Sequence, residues 1–140
     1  MRPALALALC LLAAPAQAWE FSPAPICTLT NDGEASLAVT YDPASGIYAI
    51  HLTHPDGWGA GPQFSIRFDG PYPLTIATGR HRVDGNTLTV TDSGFGNVLD
   101  GLQFNRTATA ITGDLARAID LNGAHDAVDR FRQCTAGVVS

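Results

Sequence analysis

The sequence predicts a mainly β, single-domain antiparallel sandwich or barrel-like sheet with a short C-terminal helix. Three observations carry this expectation. Apolar and polar residues alternate over short runs, the period of a half-buried strand. Turn residues interrupt those runs roughly every 8–12 residues, the spacing of small all-β domains. The last run instead repeats its apolar residues at helical spacing. At 140 residues the chain has room for one ordinary domain.

Residues 1–18 read as a secretory leader, leaving residues 19–140 as one β-rich exported domain. Arg2 supplies the positive start, Leu5 to Ala14 the apolar stretch, and Ala16-Gln17-Ala18 the small-x-small cleavage site. The apolar stretch is shorter than the roughly 20 residues of a membrane span, and none is expected in the mature chain. Cleavage before Trp19 leaves 122 of the 140 residues. It removes one arginine and no acid, so the formal charge moves from −5 to −6.

The strands follow in order. Ile26–Thr30 is short and ends at the turn residues Asn31-Asp32-Gly33. Ser36–Tyr41 places Leu37, Val39 and Tyr41 on one face. Asp42-Pro43-Ala44-Ser45-Gly46 turns the chain, and Ile47–Thr53 returns with Tyr48, Ile50 and Leu52 on one face. His54–Pro62 is a Gly/Pro loop carrying Trp58. Phe64, Ile66 and Phe68 define the next strand, which Asp69-Gly70-Pro71 breaks. Leu74–Thr78 and Arg80–Val83 precede Asp84-Gly85, the strongest hairpin signal in the chain. Thr87–Thr91 returns with Leu88 and Val90 inward. Asn97–Leu102 is expected as a helical turn, and Thr107–Thr112 with Leu115–Asp120 as a hairpin around Gly113-Asp114. About eight strands are expected in all. Ala124, Ala127, Val128 and Phe131 predict a helix over 124–132, with Arg130 and Arg132 in its last turn.

The mature chain has two cysteines, Cys27 and Cys134. In an exported chain these form one disulfide with no ambiguity of pairing. Closing a loop of 107 positions contributes about 4–5 kcal/mol in the chain-entropy model.

Charge and composition exclude several functions. All eight basic residues are arginines. A chain without lysine holds neither a Walker A loop nor a Schiff-base lysine. Its acidic balance argues against nucleic-acid binding, which needs a basic face. Asp92-Ser93-Gly94 follows an apolar strand, as the catalytic loop of a single-copy aspartic protease does, but those residue types also make ordinary turns. Ser93 as a nucleophile lacks a G-x-S-x-G elbow. His51 and His54 point to opposite faces of a strand, and His81 and His125 add no ligand-like spacing, so no metal or cofactor is expected. Gly94-Phe95-Gly96 lacks the third glycine of a dinucleotide fingerprint, because position 99 is Leu99. Asp92 and Asp100 do not fit a calcium loop. Asn105-Arg106-Thr107 is a formal glycosylation sequon. Trp58 and Tyr72, in Gly/Pro loops, are the candidate binding-loop aromatics.

Trp19-Glu20-Phe21 with Ile26–Thr30, the segments FSIRFDG (64–70) and LTVTDSGFGNVLDGL (88–102), and the ending Phe131-Arg132-Gln133-Cys134 together resemble small exported proteins of alphaproteobacteria. Members of that family often carry a name taken from the excinuclease ABC repair system, that of its helicase component. That name implies a large cytoplasmic helicase with a P-loop, which a small lysine-free exported domain contradicts. Ile119–Phe131 is more loosely similar to the invasion-associated locus B family. Neither resemblance assigns a functional residue. The expectation is a non-enzymatic envelope protein, periplasmic or secreted, that binds a small ligand or another envelope protein. The alternative is a small secreted hydrolase using Asp92 or a histidine.

Overall fold

The computed structural model describes residues 18–137. The leader, apart from Ala18, lies outside the described residues. Ten strands and two helices follow in order: β1 (Trp19–Ser22), β2 (Cys27–Asn31), β3 (Ser36–Asp42), β4 (Ile47–Thr53), β5 (Phe64–Asp69), β6 (Leu74–Thr78), β7 (Arg82–Asp84), β8 (Thr87–Asp92), α1 (Gly96–Phe104), β9 (Thr107–Thr112), β10 (Leu115–Asp120) and α2 (Ala124–Gly137). One sheet has the order β1-β2-β3-β4-β8-β7 and the other β10-β9-β5-β6. Every pairing is antiparallel. The expected β-sandwich-like domain with a C-terminal helix is what forms.

Strand alternation builds the core. Leu29, Leu37, Val39, Ile50, Leu52 and Leu88 come from the inner face of the larger sheet. Phe64, Ile66, Phe68, Ala108 and Ala110 come from the smaller one. All belong to one apolar cluster, which each sheet needs because only one of its faces is apolar. Polar partners lie outward, as in the side-chain contact of Thr53 with Thr87 across β4 and β8.

Four expectations need correction. β1 was not expected; it pairs with β2 in the register Trp19 to Asn31 and makes the strand count ten. The two-residue loop of the β7–β8 hairpin is Gly85-Asn86, one position later than the Asp84-Gly85 signal, because Asp84 pairs with Thr87. Gly85 has φ +60°, and no described residue other than glycine has positive φ, so the loop follows a II′ pattern with glycine first. The segment after β8 is a nine-residue helix rather than a single turn. Finally, α2 runs on to Gly137, which places Arg130 and Arg132 in its middle and leaves no basic residue in its last turn. Arg132 instead makes an ion pair with Asp100 of α1.

Two contacts position the helices. Gly101 lets α1 lie on β5: a β-carbon there would sit 2.4 Å from the Phe68 ring. The disulfide Cys27–Cys134 ties α2 to β2 across 107 positions, with Cα atoms 6.0 Å apart. Its removal is expected to cost about 2–5 kcal/mol. Chemical denaturation of Cys134→Ser should show that loss, and an unchanged midpoint would mean that the bridge adds nothing to the folded state.

Candidate functional site

The two edges of the sandwich differ. At the β1–β10 edge the sheets are tied together. Trp19 Nε1 donates to the Asp120 carbonyl at 3.0 Å, and Asn31 Nδ2 donates to the same oxygen at 3.5 Å. The apolar face of α2 (Ala124, Ala127, Val128, Phe131) is buried beside them.

The opposite edge, beside β6 and the end of β8 that runs past its pairing with the short β7, stays open. A cleft of about 460 Å³ enters between the sheets there. β4 and β8 give it Ile50 and Val90, β5 gives Phe64 and Ile66, and β6 gives Ile76 and Thr78. The turn into α1 closes one end with Gly94, Phe95, Gly96, Asn97 and Val98. Ile76, Val90 and Val98 are only partly buried, although their positions turn them toward the core. The volume lies within the roughly 300–1,000 Å³ of small-molecule sites.

Two charges sit at the mouth. Arg80 Nη2 lies 3.6 Å from Asp92 Oδ2, and their side chains are 78% and 45% exposed. Asp92 is inward-facing by strand alternation and pairs with Tyr48 of β4. Its Oδ1 accepts the Ser93 backbone N–H at 2.7 Å. The Asp-Ser-Gly turn thus brings a carboxylate to the cleft.

The histidines do not join it. None shares a hydrogen bond or ion pair with Asp92 among the described residues. His51 lies on the outer face of the larger sheet, with Nδ1 3.0 Å from Thr89 Oγ1. His81 Nε2 donates to the Gly61 carbonyl at 3.1 Å, which leaves its buried Nδ1 without a partner among the described residues. His125 contacts Asp126, its neighbour in α2. His54 is buried between Asp56 N–H and Arg117 Nη1, each 3.1 Å from a ring nitrogen. An imidazole offers at most one acceptor nitrogen, so at most one of those contacts is a hydrogen bond. No group of three or more His, Cys, Asp or Glu fit to hold a metal is found among the described residues.

Trp58 and Tyr72 both lie away from the cleft. Trp58 is buried; its indole N–H is shared between the Leu52 and Asn86 carbonyls at 2.9 and 3.1 Å. The Arg117 guanidinium stacks 5.3 Å from its ring centroid, so Trp58 plugs one end of the core. Tyr72 is exposed, and the Asn105 side chain binds its backbone N–H and C=O at 3.0 and 2.7 Å. Asn105 also donates to the Gly101 carbonyl at 3.0 Å, so the sequon asparagine is buried and fully engaged. The cleft residues Ile76, Thr78, Arg80 and Val98 carried no sequence signal beyond the strand alternation and the helical turn themselves.

Burial lowers the pKa of His51 below its ordinary 6.5. The unfolded chain therefore binds that proton more readily, and stability is lost as pH falls from about 6.5 through the lower folded value. The thermal midpoint should fall more between pH 7 and pH 5 in the native chain than in His51→Gln. Equal falls would remove His51 as the cause.

Comparison with known protein families, with curated proteins and with solved structures found nothing that this chain matches.

Proposed function

We propose that this chain is an exported envelope protein acting as a non-enzymatic binding module, with the cleft between its sheets as the site. The observation that carries the reading is the partial exposure of Ile76, Val90 and Val98 around a gap that no described side chain fills. Protein cores pack to crystal-like density, and each Å² of apolar surface left in water forfeits about 25 cal/mol. A small apolar ligand recovers that loss when it enters, which gives the gap its purpose.

The Cys27–Cys134 bridge supports export, since such bonds persist in oxidising compartments. No described helix is long and apolar enough to cross a membrane. The reading keeps the chain with the small exported proteins it resembles and rejects the excinuclease name, because there is no lysine for a P-loop.

A second reading, a small secreted hydrolase, is favoured by one observation: Asp92 stands at the cleft mouth. Its contacts are with Ser93 and Arg80 rather than with a histidine base. The binding reading uses the whole apolar lining and needs no second catalytic group.

The test is titration with the neutral fluorophore N-phenyl-1-naphthylamine. One saturable site per chain is expected. Val90→Trp and Ile76→Phe, which fill the gap, should weaken binding about tenfold or more, equivalent to 1.4 kcal/mol, while leaving the thermal midpoint equal or higher. Unchanged binding in both variants would place the site elsewhere.

A further inference from the structure

The mouth of the cleft has hydrogen-bond donors in excess. A guanidinium carries five N–H donors. That of Arg80 makes no hydrogen bond among the described residues, and its one partner, Asp92, is at 3.6 Å. Asp92 is better satisfied: its Oδ1 accepts from the Ser93 backbone N–H at 2.7 Å and has the Ser93 hydroxyl at 3.5 Å. The first residues of α1 point the same way. The helix has no side-chain cap at Phe95 and no acid in its first turn. Its first backbone bond runs from Leu99 N–H to the Phe95 carbonyl. The N–H groups of Gly96, Asn97 and Val98 therefore have no acceptor among the described residues, and all three residues line the cleft.

Apolar walls and a mouth of unmatched donors suit one kind of occupant. We propose that the cleft takes an anionic amphiphile, with its apolar body between the sheets and a carboxylate head against Arg80. This rests on the cleft being the binding site. The head makes with Arg80 the paired N–H···O contacts that Asp92, with its single 3.6 Å approach, does not make, since guanidinium and carboxylate match as two planar forks. The body covers Ile76, Val90 and Val98. Asp92 acts as a resident competitor: it holds Arg80 at the mouth while the cleft is free, then turns to water, to which its side chain is already 45% exposed.

Three probes with the same twelve-carbon chain separate head from body: dodecanoate, dodecanol and dodecyltrimethylammonium. Displacement of the naphthylamine fluorophore at low ionic strength gives the affinities. Dodecanoate should bind roughly tenfold or more tighter than dodecanol, the worth of one hydrogen-bonded charge contact. Arg80→Gln should bring dodecanoate down to the level of dodecanol and leave dodecanol unchanged. Asp92→Asn should strengthen dodecanoate, because it removes both the competitor and the repulsion. Equal affinities for dodecanoate and dodecanol in the native protein would overturn the anionic head while leaving the cleft as a binding site. Tightest binding of the ammonium probe would make Asp92 the recognition group and overturn the proposal. Binding of none of the three, nor of the fluorophore, would overturn the binding reading itself.

Discussion

The structure depends on the apolar contact between the inner faces of its two sheets, and that contact is complete at only one edge. Each sheet has one apolar face, so neither is stable without the other. At the β1–β10 edge the closure is multiple. Leu29 and Phe131 are fully buried, Trp19 and Asn31 both reach the Asp120 carbonyl, and Cys27 is bonded to Cys134. At the opposite edge, beside β6 and the end of β8 beyond β7, the cleft enters between the sheets. The closed edge supplies the stability that an open edge costs.

Buried polar ties keep the ends of the sandwich in place without filling its gap. Asn105 joins the β5–β6 turn to the last turn of α1 through three hydrogen bonds, which satisfies backbone groups that would otherwise be stranded. At the other end Arg117 donates to the Gly57 carbonyl at 2.7 Å and stacks on Trp58. Both clusters draw on residues far apart in the chain, so the loops they hold are parts of the core boundary. Gly101 has a related role, since only a residue without a β-carbon lets α1 approach Phe68.

Much of this architecture was legible because local chemistry decides it. Gly113 at φ +56° turns the β9–β10 hairpin where glycine beside aspartate announces a reversal. Ala124, Ala127, Val128 and Phe131 form the buried face of α2 as their spacing requires. The misses have physical causes as well. β1 has only four residues and is specified by its partner β2 more than by its own pattern. The end of α2 lies beyond its periodic residues, where packing and the bridge to Cys27 hold the last turns. The candidate site was the least legible part. β4 pairs with β8 across three intervening strands, and no local signal records that choice. Val90 reads as an inward residue and, like Ile76, would be fully buried in a sandwich closed at both edges. Trp58 sits in a Gly/Pro loop of the kind that often carries binding aromatics, yet its indole N–H is engaged by the Leu52 and Asn86 carbonyls.

The central claim is that the open edge is a ligand site rather than a packing gap. Methyl-resolved NMR with dodecanoate as the probe tests it most directly. A ligand site at that edge predicts saturable shifts at the methyl groups of Ile50, Ile66, Ile76, Val90 and Val98, with Leu29 and Val128 at the closed edge unmoved. Shifts confined to the closed edge, or spread evenly over the outer faces, would contradict it.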